Sequence, residues 1–144
     1  MKYMLDTNIC SYVIKHRPKE VLAKFNTLQI DDSCISVITL AELRYWVVRN
    51  KRLHQQSQNQ GVPKVNEEII NDFVAHLFVA DFDSHAAKIY AEVRDYFTAK
   101  GKVVGSADLM IGSHAISLGL TLVTNNVKDF ESFPKLRLEN WIKP

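Results

Sequence analysis

Asp6, Glu42 and Asp108 are the residues whose type and placement point to chemistry. Asp6 directly follows the apolar run Lys2 to Leu5. Glu42 comes just after the run Cys34 to Val37, and Asp108 lies in the first turn of a late helix that opens at Gly105-Ser106. A fourth junction, after Leu122-Val123-Thr124, holds Asn125 and Asn126 with Asp129 close behind. In an open α/β sheet, ligands bind outside the carboxyl ends of the strands, so polar groups at these junctions are the ones the fold can bring together. Carboxylates gathered there repel one another unless a cation sits between them, and an all-oxygen donor set suits Mg²⁺ or Mn²⁺. The chemistry this predicts is metal-assisted attack on phosphate, the ion acidifying a water and offsetting charge on the phosphoryl oxygens.

Each acid also has an ordinary explanation. Asp6-Thr7 can cap a helix, Thr39-x-x-Glu42 fits a capping box, and Ser106-Ala107-Asp108 is a capped start with an acid favoured by the helix dipole. Asn125-Asn126 is a plain turn signal. Taken singly, each acid reads as a cap. Their recurrence at three strand-to-helix junctions is what favours a site.

Other signals are weaker. His16, His54, His76, His85 and His114 form no HExxH or close pair, and no GxxxxGK[ST] or GxGxxG occurs. Cys10 has apolar helical neighbours and reads as a packed thiol. Tyr45 and Trp46 sit at a spacing usual for core or dimer contacts. Lys100, Lys102 and the cluster Lys15-His16-Arg17-Pro18-Lys19 are a modest supply of phosphate contacts, with a solvated surface as the default.

Short apolar runs alternate with segments of helical period, the pattern of an α/β fold with a mainly parallel sheet of four or five strands. Lys2 to Leu5 predicts a first strand, with Thr7-Asn8 capping a helix through Ile9, Val13 and Ile14 that ends at His16-Arg17-Pro18. A second helix runs from about Pro18 to Leu28. Cys34 to Val37 predicts a second strand, and the following helix carries Leu43, Trp46 and Val47. Residues 50 to 66 are polar and Gln-rich and read as a surface excursion. Helical period resumes at Glu67. Phe78 to Phe82 is a third strand, a long helix ends at Lys100-Gly101, another spans Ser106 to Leu118 and closes at Gly119, Leu120 to Thr124 is a fourth strand, and Leu136 to Ile142 supplies a fifth.

The chain's 144 residues, 47% hydrophobic and 24% charged, are enough for one domain with a real core. Its 18 basic and 16 acidic residues leave a formal charge of +2, too balanced to announce a nucleic-acid partner in bulk. Two cysteines without a CxxC support neither a disulfide framework nor a thiolate zinc site. No apolar run reaches the roughly 18 residues of a membrane span, and the N-terminus meets a carboxylate too soon for a signal peptide, so a cytoplasmic protein is expected.

Four ordered motifs resemble those of PIN domains: Met4-Leu5-Asp6-Thr7-Asn8, Ile38-Thr39-Leu40-Ala41-Glu42-Leu43, Gly105-Ser106-Ala107-Asp108-Leu109-Met110-Ile111 and Leu122-Val123-Thr124-Asn125-Asn126-Val127-Lys128-Asp129-Phe130. With Leu136-Arg137-Leu138-Glu139-Asn140-Trp141, they are most similar to the VapC-type toxins of bacterial type II toxin–antitoxin systems. The resemblance implies one PIN domain over residues 1–144, an α/β/α sandwich, a homodimer, and a Mg²⁺- or Mn²⁺-dependent endoribonuclease held inactive by a VapB-type antitoxin that also carries the pair to operator DNA. Folded RNA, tRNA especially, is the implied substrate. By position, the implied metal ligands are Asp6, Asp108 and Glu42, with Thr7 or Asn8 steadying Asp6, and the fourth acidic position falls to Asn126 or to Asp129. Trp46, where the family carries a small residue, and the Gln-rich stretch from His54 to Gln60 depart from the pattern. Two other classes stay open: a PIN-like binding module whose acids only cap helices, and a phosphotransferase with Asp6 as nucleophile. The latter is disfavoured because Asn8 stands where a second Asp is needed.

Overall fold

The computed structural model describes residues 1–57 and 65–143. In chain order the elements are β1 (Tyr3–Leu5), α1 (Thr7–Lys15), α2 (Lys19–Asn26), β2 (Ser33–Ser36), α3 (Val37–Gln56), α4 (Glu67–Val74), β3 (Phe78–Ala80), α5 (Ser84–Ala99), α6 (Ser106–Leu118), β4 (Thr121–Val123), α7 (Val127–Phe130) and β5 (Arg137–Glu139), with a 3₁₀ turn at Ile30–Asp32. The five strands are parallel and ordered β3-β2-β1-β4-β5. Strand order therefore reverses direction at β1, and the crevice between the ends of β1 and β4 is the switch point where such sheets bind ligands.

Alternation along the strands builds two cores. Leu5, Ile35 and Val123 face a layer with Ile9, Val21 and Leu43, while Met4, Cys34 and Leu122 face Val93, Phe97 and Ile111 on the other side. Every residue of β1 is buried, as a central parallel strand covered on both faces must be. The α/β/α sandwich expected from the sequence is thus present, at the upper end of the expected strand number.

Local differences have local causes. Asp6, not Thr7 or Asn8, is the N-cap of α1, its side chain accepting from the Ile9 N–H. Ser36 ends β2 and caps α3 through the Ile38 N–H, so Val37 is helical and the Thr39-x-x-Glu42 box does not form. Helix α3 continues to Gln56, well into the segment read as an excursion. Lys, Arg, Leu and Gln there are good helix formers, and no Gly or Pro intervenes until Gly61. Of the rest of that excursion, residues 58–64 lie outside the described residues, and Asn66 caps α4 by accepting from the Ile69 N–H. Strand β3 stops at Ala80, and α7 follows Asn126 as a short helix the turn signal did not announce.

Gly112 in α6 is required by close approach: a Cβ built on it would stand 2.4 Å from Cε2 of Phe133. That ring cannot swing away, because it packs on Phe97 at 4.9 Å and Phe130 at 5.3 Å between centroids. The contact sets how near α6, which carries Asp108, lies to the segment after α7. Gly119, at φ +66°, closes α6 in the left-handed conformation expected there.

Candidate active site

The register of β1 on β4 pairs Leu5 with Val123, so the next residues, Asp6 and Thr124, emerge side by side at the switch point. The Asp6 N–H donates to the Val123 carbonyl at 3.0 Å, which anchors its backbone to the sheet. Only 4% of Asp6 is exposed. Its Oδ1 accepts from the Ile9 N–H at 2.9 Å, and the Thr124 side chain also hydrogen-bonds the carboxylate. Burial nevertheless pushes its pKa up to about 6, with the charges of Asp108 and Glu42 adding to the rise and the two hydrogen bonds opposing it. Asp6 therefore caps α1 through a carboxylate whose charged form burial disfavours.

Glu42 lies in the second turn of α3, beyond reach of any capping role there. Its Oε1 accepts the hydroxyl hydrogen of Thr7, a bond between α1 and α3. Asp108 lies in the first turn of α6, whose N-cap, Gly105, offers no side-chain cap. Half-burial raises the Asp108 pKa, and Asp129 and then Glu42 raise it further. Asp6, Glu42, Asp108 and Asp129 therefore share one field of negative potential, although they come from four separate segments of the chain.

The supporting residues divide differently from expectation. Thr7 serves Glu42 rather than Asp6, and the exposed Asn8 makes no hydrogen bond to Asp6 among the described residues; its carbonyl accepts from Ser11 Oγ at 2.7 Å. Thr124, unremarked as a functional residue in the sequence, takes the steadying role. Nothing in the sequence alone signals this, since it follows from β1 lying beside β4 with Leu5 opposite Val123. Thr124 Oγ1 also accepts from the Asn126 N–H at 2.9 Å. Asn126 thereby shapes the turn through its backbone, whereas Asp129, though exposed, is the residue whose charge reaches Asp108.

His114 is the buried histidine of the set, its Nδ1 2.8 Å from Ser36 Oγ and its ring edge-on to Phe82. Burial keeps its pKa below the ordinary value. It joins α6 to the cap of α3, and so ties the helix of Asp108 to that of Glu42. Cys10 is fully buried and its thiol pKa is raised well above normal by that burial, which makes it a packing group. Trp46 is partly buried against the α1–α4 core with the Lys15 ammonium 5.3 Å from its ring, while Tyr45 is exposed.

Among the described residues, no three His, Cys, Asp or Glu side chains already stand around one point as a preformed metal cage. The donors are carboxylate and hydroxyl oxygens, and two of the carboxylates are raised by burial and by one another. Such a set fits a hard divalent cation bound by one or two carboxylates with water completing its shell.

Acids gathered at the switch point of a parallel sheet are placed where such folds bind ligands. The PIN domain family model matches residues 3–136. The chain is 42% identical to "Ribonuclease VapC2" of Rickettsia felis, over 99% of this chain and all of that one. It is 38% identical to "tRNA(fMet)-specific endonuclease VapC" of Salmonella typhimurium, over 98% of each. The solved structure of VapBC2 from Rickettsia felis bound to a DNA fragment from their promoter superposes with a TM-score of 0.81 and 38% identity, covering 99% of this chain and 100% of that one. The chain belongs to the PIN-domain family and, within it, to the VapC-type ribonucleases. PIN-domain ribonucleases are in general dependent on divalent metal. No helix among the described residues is long and apolar enough to cross a membrane.

Proposed function

We propose that this protein is the toxin of a type II toxin–antitoxin pair, a Mg²⁺- or Mn²⁺-dependent endoribonuclease acting on folded RNA, with tRNA as the substrate class, in the cytoplasm. The observation that carries this is the coupling of Asp6, Glu42 and Asp108 at the β1/β4 switch point, with Asp6 raised to about 6. Asp6 and Asp108 would hold the cation, with Glu42 completing the set and Asp129 lending charge at the rim. Bound there, the cation supplies Lewis acidity towards water and phosphate oxygens. Thr124 and the Ile9 N–H fix the Asp6 carboxylate, and Thr7 fixes Glu42. Asn126, an amide, can orient water but cannot take a proton.

Protein partners have surfaces to use. A groove of about 440 Å³ between α1, α2 and α4 is lined by Val13, Ile14, Leu22, Phe25, Ile69 and Phe73, among others, and supports docking of a VapB-type antitoxin. Tyr45, Val48 and Leu53 are exposed on α3, which supports an assembled, homodimeric form with that face covered. Operator DNA would be reached through the antitoxin, as the promoter-bound relative supports. Incubating the purified chain with total tRNA, with Mn²⁺ or with EDTA, and mapping new 5′ ends tests the activity. Discrete metal-dependent cuts are expected, and intact tRNA with every divalent cation would overturn it.

A further inference from the structure

Lys100 and Lys102 lie on the segment between α5 and α6, and each is held by neutral partners. Lys100 Nζ donates to Tyr96 Oη at 2.7 Å and sits 4.2 Å from the centroid of that ring. Lys102 Nζ donates to Ser132 Oγ at 2.5 Å and sits 5.6 Å from the Phe97 centroid. Among the described residues the ion pair present is Arg44 with Glu67, so neither ammonium is neutralised by a carboxylate.

Their position relates them to the acids. Lys102 precedes α6, which carries Asp108 in its first turn, and Ser132 follows α7, which carries Asp129. The Lys102 to Ser132 bond therefore bridges the two segments whose acids feel each other, and the Phe97–Phe133 packing at 4.9 Å fixes the same junction beneath it. Val103, next to Lys102, is 95% exposed, so nothing among the described residues covers this rim. An acidic crevice repels a polyanion, and cations at its edge are what allow a phosphate chain to approach. The phenol of Tyr96 and the hydroxyl of Ser132 already position the two ammonium groups at this rim.

We infer that Lys100 and Lys102 form a phosphate-binding rim that grips the RNA backbone flanking the cleaved linkage. The inference rests on the ribonuclease reading and adds to it the residues that hold the substrate. The double variant Lys100→Gln/Lys102→Gln keeps most of each side-chain stem and removes the charge. Its KM for tRNA is expected to rise about tenfold with kcat within about twofold. The slope of log(kcat/KM) against log[KCl] should become shallower by roughly 1 to 2, near one unit for each phosphate no longer neutralised. Lys100→Arg/Lys102→Arg should keep KM near the wild-type value, and Lys24→Gln/Lys88→Gln, at exposed or part-exposed positions on α2 and α5, should leave both KM and slope unchanged. Wild-type KM and salt slope in the double Gln variant would overturn the rim. A wild type that cuts no RNA would instead overturn the ribonuclease reading. Equilibrium binding of the same tRNA in EDTA then still decides the rim, since equal affinity and slope in the two proteins refute it and a weaker, shallower response in the variant supports it.

Discussion

Thr7, at the start of α1, donates its hydroxyl hydrogen to Glu42 of α3, so a helix-opening residue of one junction fixes the acid of the next. Thr7→Val keeps the shape and removes the donor, leaving a half-buried carboxylate short of a partner. Single-turnover cleavage should slow roughly tenfold, about 1.4 kcal/mol of barrier, and Thr7→Ser should retain the rate. Equal rates in Thr7→Val and wild type would remove Thr7 from the account.

Protonation of Asp6 has a stability consequence in metal-free protein. An unfolded aspartate titrates near 3.9, whereas Asp6 in the fold titrates at about 6. Between those values the folded state binds the additional proton, so stability falls as pH rises from about 4 to about 6 and stays lower above it, by about 3 kcal/mol for this group. Asp108 is raised too and acts in the same direction. In EDTA, melting of the wild type should drop by several degrees from about pH 4.5 to 7, more steeply than that of Asp6→Asn. Mn²⁺, binding the ionised folded form, should reverse the drop at pH 7. Parallel pH profiles for the two proteins would contradict the burial of Asp6.

Much of this is legible without the fold, because strand-to-helix junctions show in the alternation of apolar runs, and a parallel sheet brings the ends of its strands together. Asp6 and Asp108 can be placed that way. What escapes are relationships set by register. That Thr124 steadies Asp6 depends on Leu5 lying opposite Val123, and that Thr7 reaches Glu42 depends on how α1 packs on α3. The cap of α3 lies three residues before the one the sequence suggests. Thr39-x-x-Glu42 imitates a capping box, whereas the chain enters the helix as soon as β2 ends at Ser36.

That difference is testable by stability alone. Ser36→Ala removes the bond from the Ile38 N–H and the bond to His114 together, and urea denaturation should show a drop of about 2 kcal/mol. Thr39→Val, which replaces a buried hydroxyl with no hydrogen-bond partner among the described residues, should be neutral or stabilising. The reverse ranking would restore Thr39 as the cap.

Gly112→Ala pushes a methyl group into Phe133 and should cost about 1 to 3 kcal/mol in the same assay. Phe133→Leu in that background should recover part of the deficit by opening the space. A fully stable Gly112→Ala would mean that α6 is free to shift, and with it Asp108.

The central claim, that a divalent cation held by the coupled acids drives RNA cleavage, is tested most directly by the rate of tRNA cleavage as a function of Mn²⁺ for wild type and Asp6→Asn. The wild type should show a saturable rise, abolished by EDTA, and the variant a drop of at least about a hundredfold, with its fold intact by melting. Cleavage by Asp6→Asn at the wild-type rate and with the wild-type metal dependence would contradict it.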